Sequence, residues 1–280
     1  MTDQAARYDA IADGYARWWQ PRHAPGGERL LDRLAPYVGA GPARLLDVGT
    51  GIGALALGAV ERWPNVTVAA IDASREMAAA ARAQAERRLR PADLERVSIE
   101  VAAADELPYP DHSFDLAMSS FVFQLVPNRH RALREARRVL RPGGTLGFVT
   151  WLRDDRPWEP DAIFDELLDE VGFGDDEPEE ERTDGRSDDF ESASAAAAEM
   201  RRAGFRDVTA IEDEIDLGFD VESYIGFLTG FDETALFDSM ASDERTFVVD
   251  GLRERLGALD PSKMRIGAAI VYAIGRRSDR

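Results

Sequence analysis

The chain has 280 residues, with 53 acidic side chains against 34 Lys and Arg, a formal net charge of −19 and no cysteine. Its length suits one large domain or one domain carrying an inserted cap, and a hydrophobic share of 44% is that of a globular protein. The composition excludes disulfides and thiolate metal sites, and a strongly acidic surface disfavours nucleic-acid substrates. No apolar run approaches 18 residues, so no membrane span is expected. The opening residues 1–10 are polar and lack a signal-peptide pattern, so a cytoplasmic location is expected. Lys263 is the only lysine, a bias that suits genomic composition and also a high-salt cytoplasm.

Taken in order, residues 8–19 carry apolar side chains at 8, 11, 12, 15, 18 and 19, the spacing of an amphipathic helix. Pro21, Pro25, Gly26 and Gly27 predict a loop over 21–27, and 28–38 reads as a second helix. Gly39 to Pro42 then break the chain. Leu45, Leu46 and Val48 form a short apolar run that suits a buried strand. Gly49, Gly51 and Gly53 alternate after it, and a helix is predicted over 54–63. Strand, glycine loop and helix together bring backbone N–H groups and a helix N-terminus up to a ligand. Glycine is needed there because a side chain would block the approach or forbid a positive φ.

The loop fits two fingerprints. Gly49-Thr50-Gly51-Ile52-Gly53-Ala54 matches the dinucleotide pattern, with Asp72 as the acid at the end of the next strand, 66–71. Read from Asp47, the same stretch is D-x-G-x-G-x-G. Asp72 stands where open α/β sheets bind ligands, and its carboxylate can accept both hydrogen bonds of a ribose diol. Ser74 is a predicted N-cap for a helix over 75–89, with Met77 in its first turn. A third strand follows at 97–102, then Ala102-Ala103-Ala104-Asp105-Glu106-Leu107-Pro108-Tyr109. A fourth strand and its exit cover 116–123, a helix 128–140, a turn 141–145 and a fifth strand 146–150.

Beyond Trp151 the motifs thin out. A helix is predicted over 161–171. Between Asp169 and Glu191 twelve acids face two arginines, a run expected to be a solvated loop. A helix over 190–202, a strand over 208–217, helices over 221–228 and 244–256 and a last apolar strand over 266–274 complete the chain. No metal constellation is visible. Of the three histidines, His23 is the best candidate for a general base, because His112 reads as a turn residue and His130 as the start of a helix.

Read from Asp47, the glycine stretch closely resembles motif I of the class I S-adenosylmethionine-dependent methyltransferases, in the UbiE-like, methyltransferase type 11 group. Four further signals in the right order carry the same resemblance: Tyr8 to Trp19, Asp72 to Ala81, Ala102 to Tyr109 with Asp111 to Phe123, and Arg138 to Leu146. Together they cover about residues 8–151. The third departs from the family pattern, because Ala103 occupies the position of the family's acid and Asp105 that of the acid after it.

The resemblance implies a Rossmann-like, doubly wound α/β fold of seven strands with strand 7 antiparallel, N-terminal lid helices and an inserted helical cap. It implies lid helices over 1–42, a cofactor-binding core over 43–151, and a substrate cap plus strands 6 and 7 over 152–280. S-adenosylmethionine is the implied cofactor and S-adenosylhomocysteine its product. The implied cofactor residues are Asp47, Gly49, Thr50, Gly51, Gly53, Asp72, Ala73, Met77, Ala104, Asp105, Ser119 and Tyr15. Tyr8, Trp19, Phe121 and Gln124 are the implied substrate residues, and the expected partner is a small-molecule methyl acceptor bound by a monomer or homodimer. The competing readings are a non-catalytic cofactor-binding module, a peptide or protein N-methyltransferase and, remotely, an NAD-binding oxidoreductase.

Overall fold

The computed structural model describes residues 3–173 and 189–278. Most of the acidic run therefore lies outside the described residues, and only its two ends are seen. Helix α1 (Asp3–Gly14) passes through a π-helical turn (Tyr15–Trp19) directly into α2 (Gln20–Leu34). The loop expected over 21–27 is thus helix. Pro21 falls in the first turn of α2, where its missing N–H costs nothing. Gly26 serves close packing and not a turn, since a Cβ there would stand 2.9 Å from the Phe121 ring. The helix expected to reach Val38 stops at Leu34, and a single 3-10 turn (Ala35–Tyr37) follows.

The core then runs β1 (Ala43–Val48), α3 (Ala54–Arg62), β2 (Val66–Asp72), α4 (Arg75–Arg88), a short α5 (Pro91–Leu94), β3 (Val97–Val101), β4 (Phe114–Ser120), α6 (Arg129–Val139) and β5 (Leu140–Trp151). After it come α7 (Glu159–Glu170), α8 (Ala193–Arg202), β6 (Phe205–Gly218) and α9 (Val221–Phe227). A second π-helical turn (Leu228–Asp232), α10 (Thr234–Ser239), α11 (Ser242–Gly257) and β7 (Arg265–Arg277) complete the order. The turn expected over 141–145 lies inside β5 as a bulge. The pairing with β4 steps from Phe114 opposite Leu140 to Leu116 opposite Thr145, and Gly143 has φ +75°.

The strands form one seven-stranded sheet in the order β3-β2-β1-β4-β5-β7-β6, with β7 antiparallel to both of its neighbours, as the resemblance implied. The sheet divides the core in two. Leu45 packs on the side of α2 and α3, whereas Leu46 and Val48 pack on the side of α6 and α8, the period of two that a strand imposes. Strand order reverses between β1 and β4, and a ligand crevice opens at such a switch point.

The expected lid segment is not uniform. Leu30, Leu31 and Leu34 of α2 are fully buried against the sheet, each contributing roughly 1.5–3 kcal/mol. In α1, by contrast, Ala5 is the one buried apolar side chain among the described residues. Hydrogen bonds fasten it instead: Asp9 Oδ1 accepts from Ser74 Oγ at 2.6 Å and from Glu76 N at 3.2 Å, at the N-terminus of α4. The end of α1 then meets the second π-turn, so closely that a Cβ on Gly14 would collide with the Gly230 carbonyl.

Candidate active site

Gly49, Gly51 and Gly53 have φ of +72°, +54° and +91°, so the loop between β1 and α3 is left-handed at every second residue. At Gly49 a side chain would also run into Val122. The loop is pinned from below by Asp47. Its Oδ2 accepts from Thr50 Oγ1 at 2.7 Å and from Ala56 N at 3.0 Å, while its buried Oδ1 has no partner. Burial pushes the Asp47 carboxyl up to about 7, against the two hydrogen bonds that lower it. From the next strand, Asp72 Oδ2 accepts from Gly51 N at 2.8 Å and Oδ1 from Ser74 N at 2.9 Å. Burial raises this carboxyl too, and the backbone donors oppose it. Each Asp72 oxygen keeps a lone pair for a further donor.

These groups border a cavity of about 340 Å³ at the C-terminal ends of β1, β2 and β4. Of the residues singled out in the sequence, Tyr8, Tyr15, Trp19, His23, Gly49, Gly51, Asp72, Ala73, Met77, Ala104, Asp105, Phe121 and Gln124 line it. Asp47, beneath the glycine loop, and Thr50, within it, border an adjoining cavity of about 280 Å³, which shares Tyr15, His23, Gly49 and Ser120 with the first. Gly53 is the N-cap of α3, its Cα facing Ala81 and Leu57 and not the cavity. Ser119 also stands apart: it is fully buried and its hydroxyl donates to the Val48 carbonyl at 2.8 Å. The pleat of β4 turns the next residue, Ser120, toward the cavity in its place.

Phe121 holds an uncommon backbone conformation for a bulky residue, φ +56°, fixed by its N–H donating to the Val149 carbonyl at 2.8 Å. That turn aims its ring at His23, 5.0 Å away, and at Trp151, 4.3 Å away. His23 is buried with Nε2 unpartnered, and burial drives its imidazole down to about 4. Gln124 Oε1 accepts from Thr150 Oγ1 at 2.5 Å, which leaves its amide donors for the cavity it lines. Tyr8 and Tyr15 meet edge to face at 5.9 Å, and burial raises both phenols, so both remain protonated donors. The sequence reading missed Trp151, Phe227 and Phe231, which complete the far wall. The four-residue spacing of Phe227 and Phe231 was a signal, but it also fits a helix packed into a core.

A family of methyltransferase domains matches residues 46–148. A malonyl-[acyl-carrier protein] O-methyltransferase from Geobacter sulfurreducens is 35% identical over 222 residues, which cover 79% of this chain and 74% of that protein. The chain belongs to the class I S-adenosylmethionine-dependent methyltransferases. It is an enzyme of that family, with S-adenosylmethionine as the methyl donor, and the dinucleotide reading of its glycine loop falls away. A ubiquinone/menaquinone biosynthesis C-methyltransferase, UbiE, from Dinoroseobacter shibae is 36% identical over 150 residues, 52% of this chain and 55% of that one. The YcgJ protein from Bacillus subtilis has the same fold, with a TM-score of 0.59 at 21% identity over 90% of this chain and 98% of its own. Among the described residues no helix is long and apolar enough to cross a membrane, and no cluster of side chains is suited to a metal ion.

Proposed function

We propose that this methyltransferase binds its donor along the cavity from the glycine loop to Asp105 and transfers the methyl group to a small molecule held among Trp19, Phe121 and Gln124. The observation that carries the donor assignment is the unpartnered, buried Oδ1 of Asp47 beneath a left-handed glycine loop. A buried carboxylate oxygen without a donor is costly, and the ammonium of an amino-acid end would satisfy it. Asp72 would take the ribose diol on its remaining lone pairs. Met77 and Ala104 would flank the adenine, and Asp105, which has no partner of its own among the described residues, would accept from its amino group. Tyr15 lies over the glycine loop and closes the cofactor end, since a Cβ on Gly51 would stand 3.5 Å from its hydroxyl. Ser120 replaces Ser119 at the cavity wall.

When bound, S-adenosylmethionine supplies a sulfonium methyl already activated by its positive charge. The chain's own task is to hold the nucleophile in line with it and to keep water out, an effect that supplies several kcal/mol. Titration calorimetry with S-adenosylmethionine and S-adenosylhomocysteine tests the reading. Micromolar binding is expected, lost in Asp72→Ala and retained in Ser119→Ala. Undiminished affinity in Asp72→Ala would refute the ribose assignment.

A further inference from the structure

The acceptor end of the cavity is a box of rings. The first π-turn supplies Trp19, which stacks on Phe231 of the second at 5.8 Å and 22° and lies 5.1 Å from Phe227. Phe121 and Trp151, 4.3 Å apart, continue the wall, with Trp151 5.8 Å from Trp19. Two polar rings stand among them: His23, 5.9 Å from Trp19 and 5.0 Å from Phe121, and Tyr15, 5.4 Å from His23 and 5.9 Å from Phe231. The His23 Nε2 is buried and unpartnered, and burial keeps the ring neutral at ordinary pH. A neutral imidazole has one donor and one acceptor nitrogen, and with the proton on Nδ1 the acceptor is Nε2. A buried acceptor with no donor asks for one.

We propose that the box receives the flat apolar body of an uncharged hydroxyl compound, whose hydroxyl donates to His23 Nε2 and is methylated on oxygen. This rests on the donor assignment above. Charge argues for neutrality. Among the described residues Arg7 is the one cationic side chain lining the cavity; it stands on α1 beside Tyr8 and lies over none of the box rings, so the box itself offers an anionic acceptor no counter-ion. A cationic acceptor would have to sit beside the sulfonium, and Asp232, the carboxylate on the second π-turn, already has a partner within the protein. In the transfer, the hydroxyl oxygen bonds to the methyl carbon as its proton passes to Nε2. The electrons of the breaking carbon–sulfur bond return to sulfur, which leaves as a neutral thioether. The products are a methyl ether and an imidazolium, which then loses its proton to solvent. A base positioned in this way contributes on the order of 10²–10⁴ in rate.

Three probes with one ring system and different heads test the class: 2-naphthol, 2-naphthoate and 2-naphthylmethylammonium, each titrated calorimetrically into the free protein and into protein loaded with S-adenosylhomocysteine. 2-Naphthol should bind at least tenfold more tightly than either charged probe. His23→Ala should weaken it at least tenfold while the affinity for S-adenosylhomocysteine holds. With S-adenosylmethionine present, 2-methoxynaphthalene should form, falling at least 100-fold in His23→Ala and recovering in part when free imidazole is added. His23→Phe, which keeps the ring and removes the acceptor, should match His23→Ala without the imidazole rescue. Tighter binding of a charged probe, no binding of any probe to either form, or wild-type turnover of 2-naphthol by His23→Ala would each overturn the proposal. If S-adenosylhomocysteine fails to bind but 2-naphthol still depends on His23 in the free protein, the donor assignment falls and the box stands.

Discussion

Binding of S-adenosylhomocysteine should release protons, and Asp47 sets how many. Burial without a partner at Oδ1 raises its carboxyl to about 7, so at pH 6.5 roughly three quarters of the free protein carries a proton there, and at pH 8 about one tenth. An ammonium docked on Oδ1 favours the carboxylate and expels that proton. The observable is the dependence of calorimetric binding heat on the ionisation enthalpy of the buffer, whose slope counts protons. The Asp72 carboxyl is also raised by burial and adds its own contribution, so the comparison is between wild type and Asp47→Asn. At pH 6.5 wild type should release about three quarters of a proton more than the variant, and at pH 8 the two should nearly agree. Equal slopes at pH 6.5, with both proteins binding, would sink the assignment of Asp47 to the ammonium.

The same carboxyl bears on stability. Its folded value lies above the ordinary 3.8, so it destabilises the free fold increasingly as pH rises from about 4 to about 7, by up to roughly 4 kcal/mol. The thermal midpoint of Asp47→Asn should therefore gain on wild type across that interval and hold its lead above it, less what the extra amide donor costs; a lead that shrinks with rising pH would contradict this. Gly49→Ala forces an L side chain into φ +72° and against Val122, and should cost at least about 1–2 kcal/mol by urea titration. Adding Val122→Ala should recover only the steric part, and full recovery would mean that the backbone conformation is unstrained. Asp9→Ala removes the acceptor shared by Ser74 Oγ and Glu76 N, a loss of about 0.5–1.5 kcal/mol per hydrogen bond. Proteolysis within α1 should accelerate and the dissociation of S-adenosylhomocysteine should quicken several-fold, and unchanged rates of both would show that α1 is held by other means.

What could be read from the sequence is what short stretches dictate for themselves. Apolar runs such as Leu45–Val48 and Val66–Ile71 are buried on both faces wherever they fall in a parallel sheet. Three alternating glycines demand a left-handed loop, and Asp72 follows from standing at a strand's end. Seven strands with the last one antiparallel followed from the resemblance those motifs carry. The tertiary structure decided what depends on partners distant in the chain. Residues 21–27 hold prolines and glycines that locally favour a loop, yet they are helical, because contact between Gly26 and the Phe121 ring rewards a smooth helix surface. Ser119 and Ser120 are equivalent by motif, and only the pairing of β4 with β1 and β5 turns the first to the Val48 carbonyl and the second to the cavity. The acceptor box joins Trp19 and Phe121, which the family resemblance singled out, with Trp151 and Phe231, which read as ordinary core aromatics in their own segments. Periodicity along one element says which face is buried, but the identity of what it meets is set by long-range packing, and that packing also leaves Asp47 and His23 buried with a polar atom unpartnered.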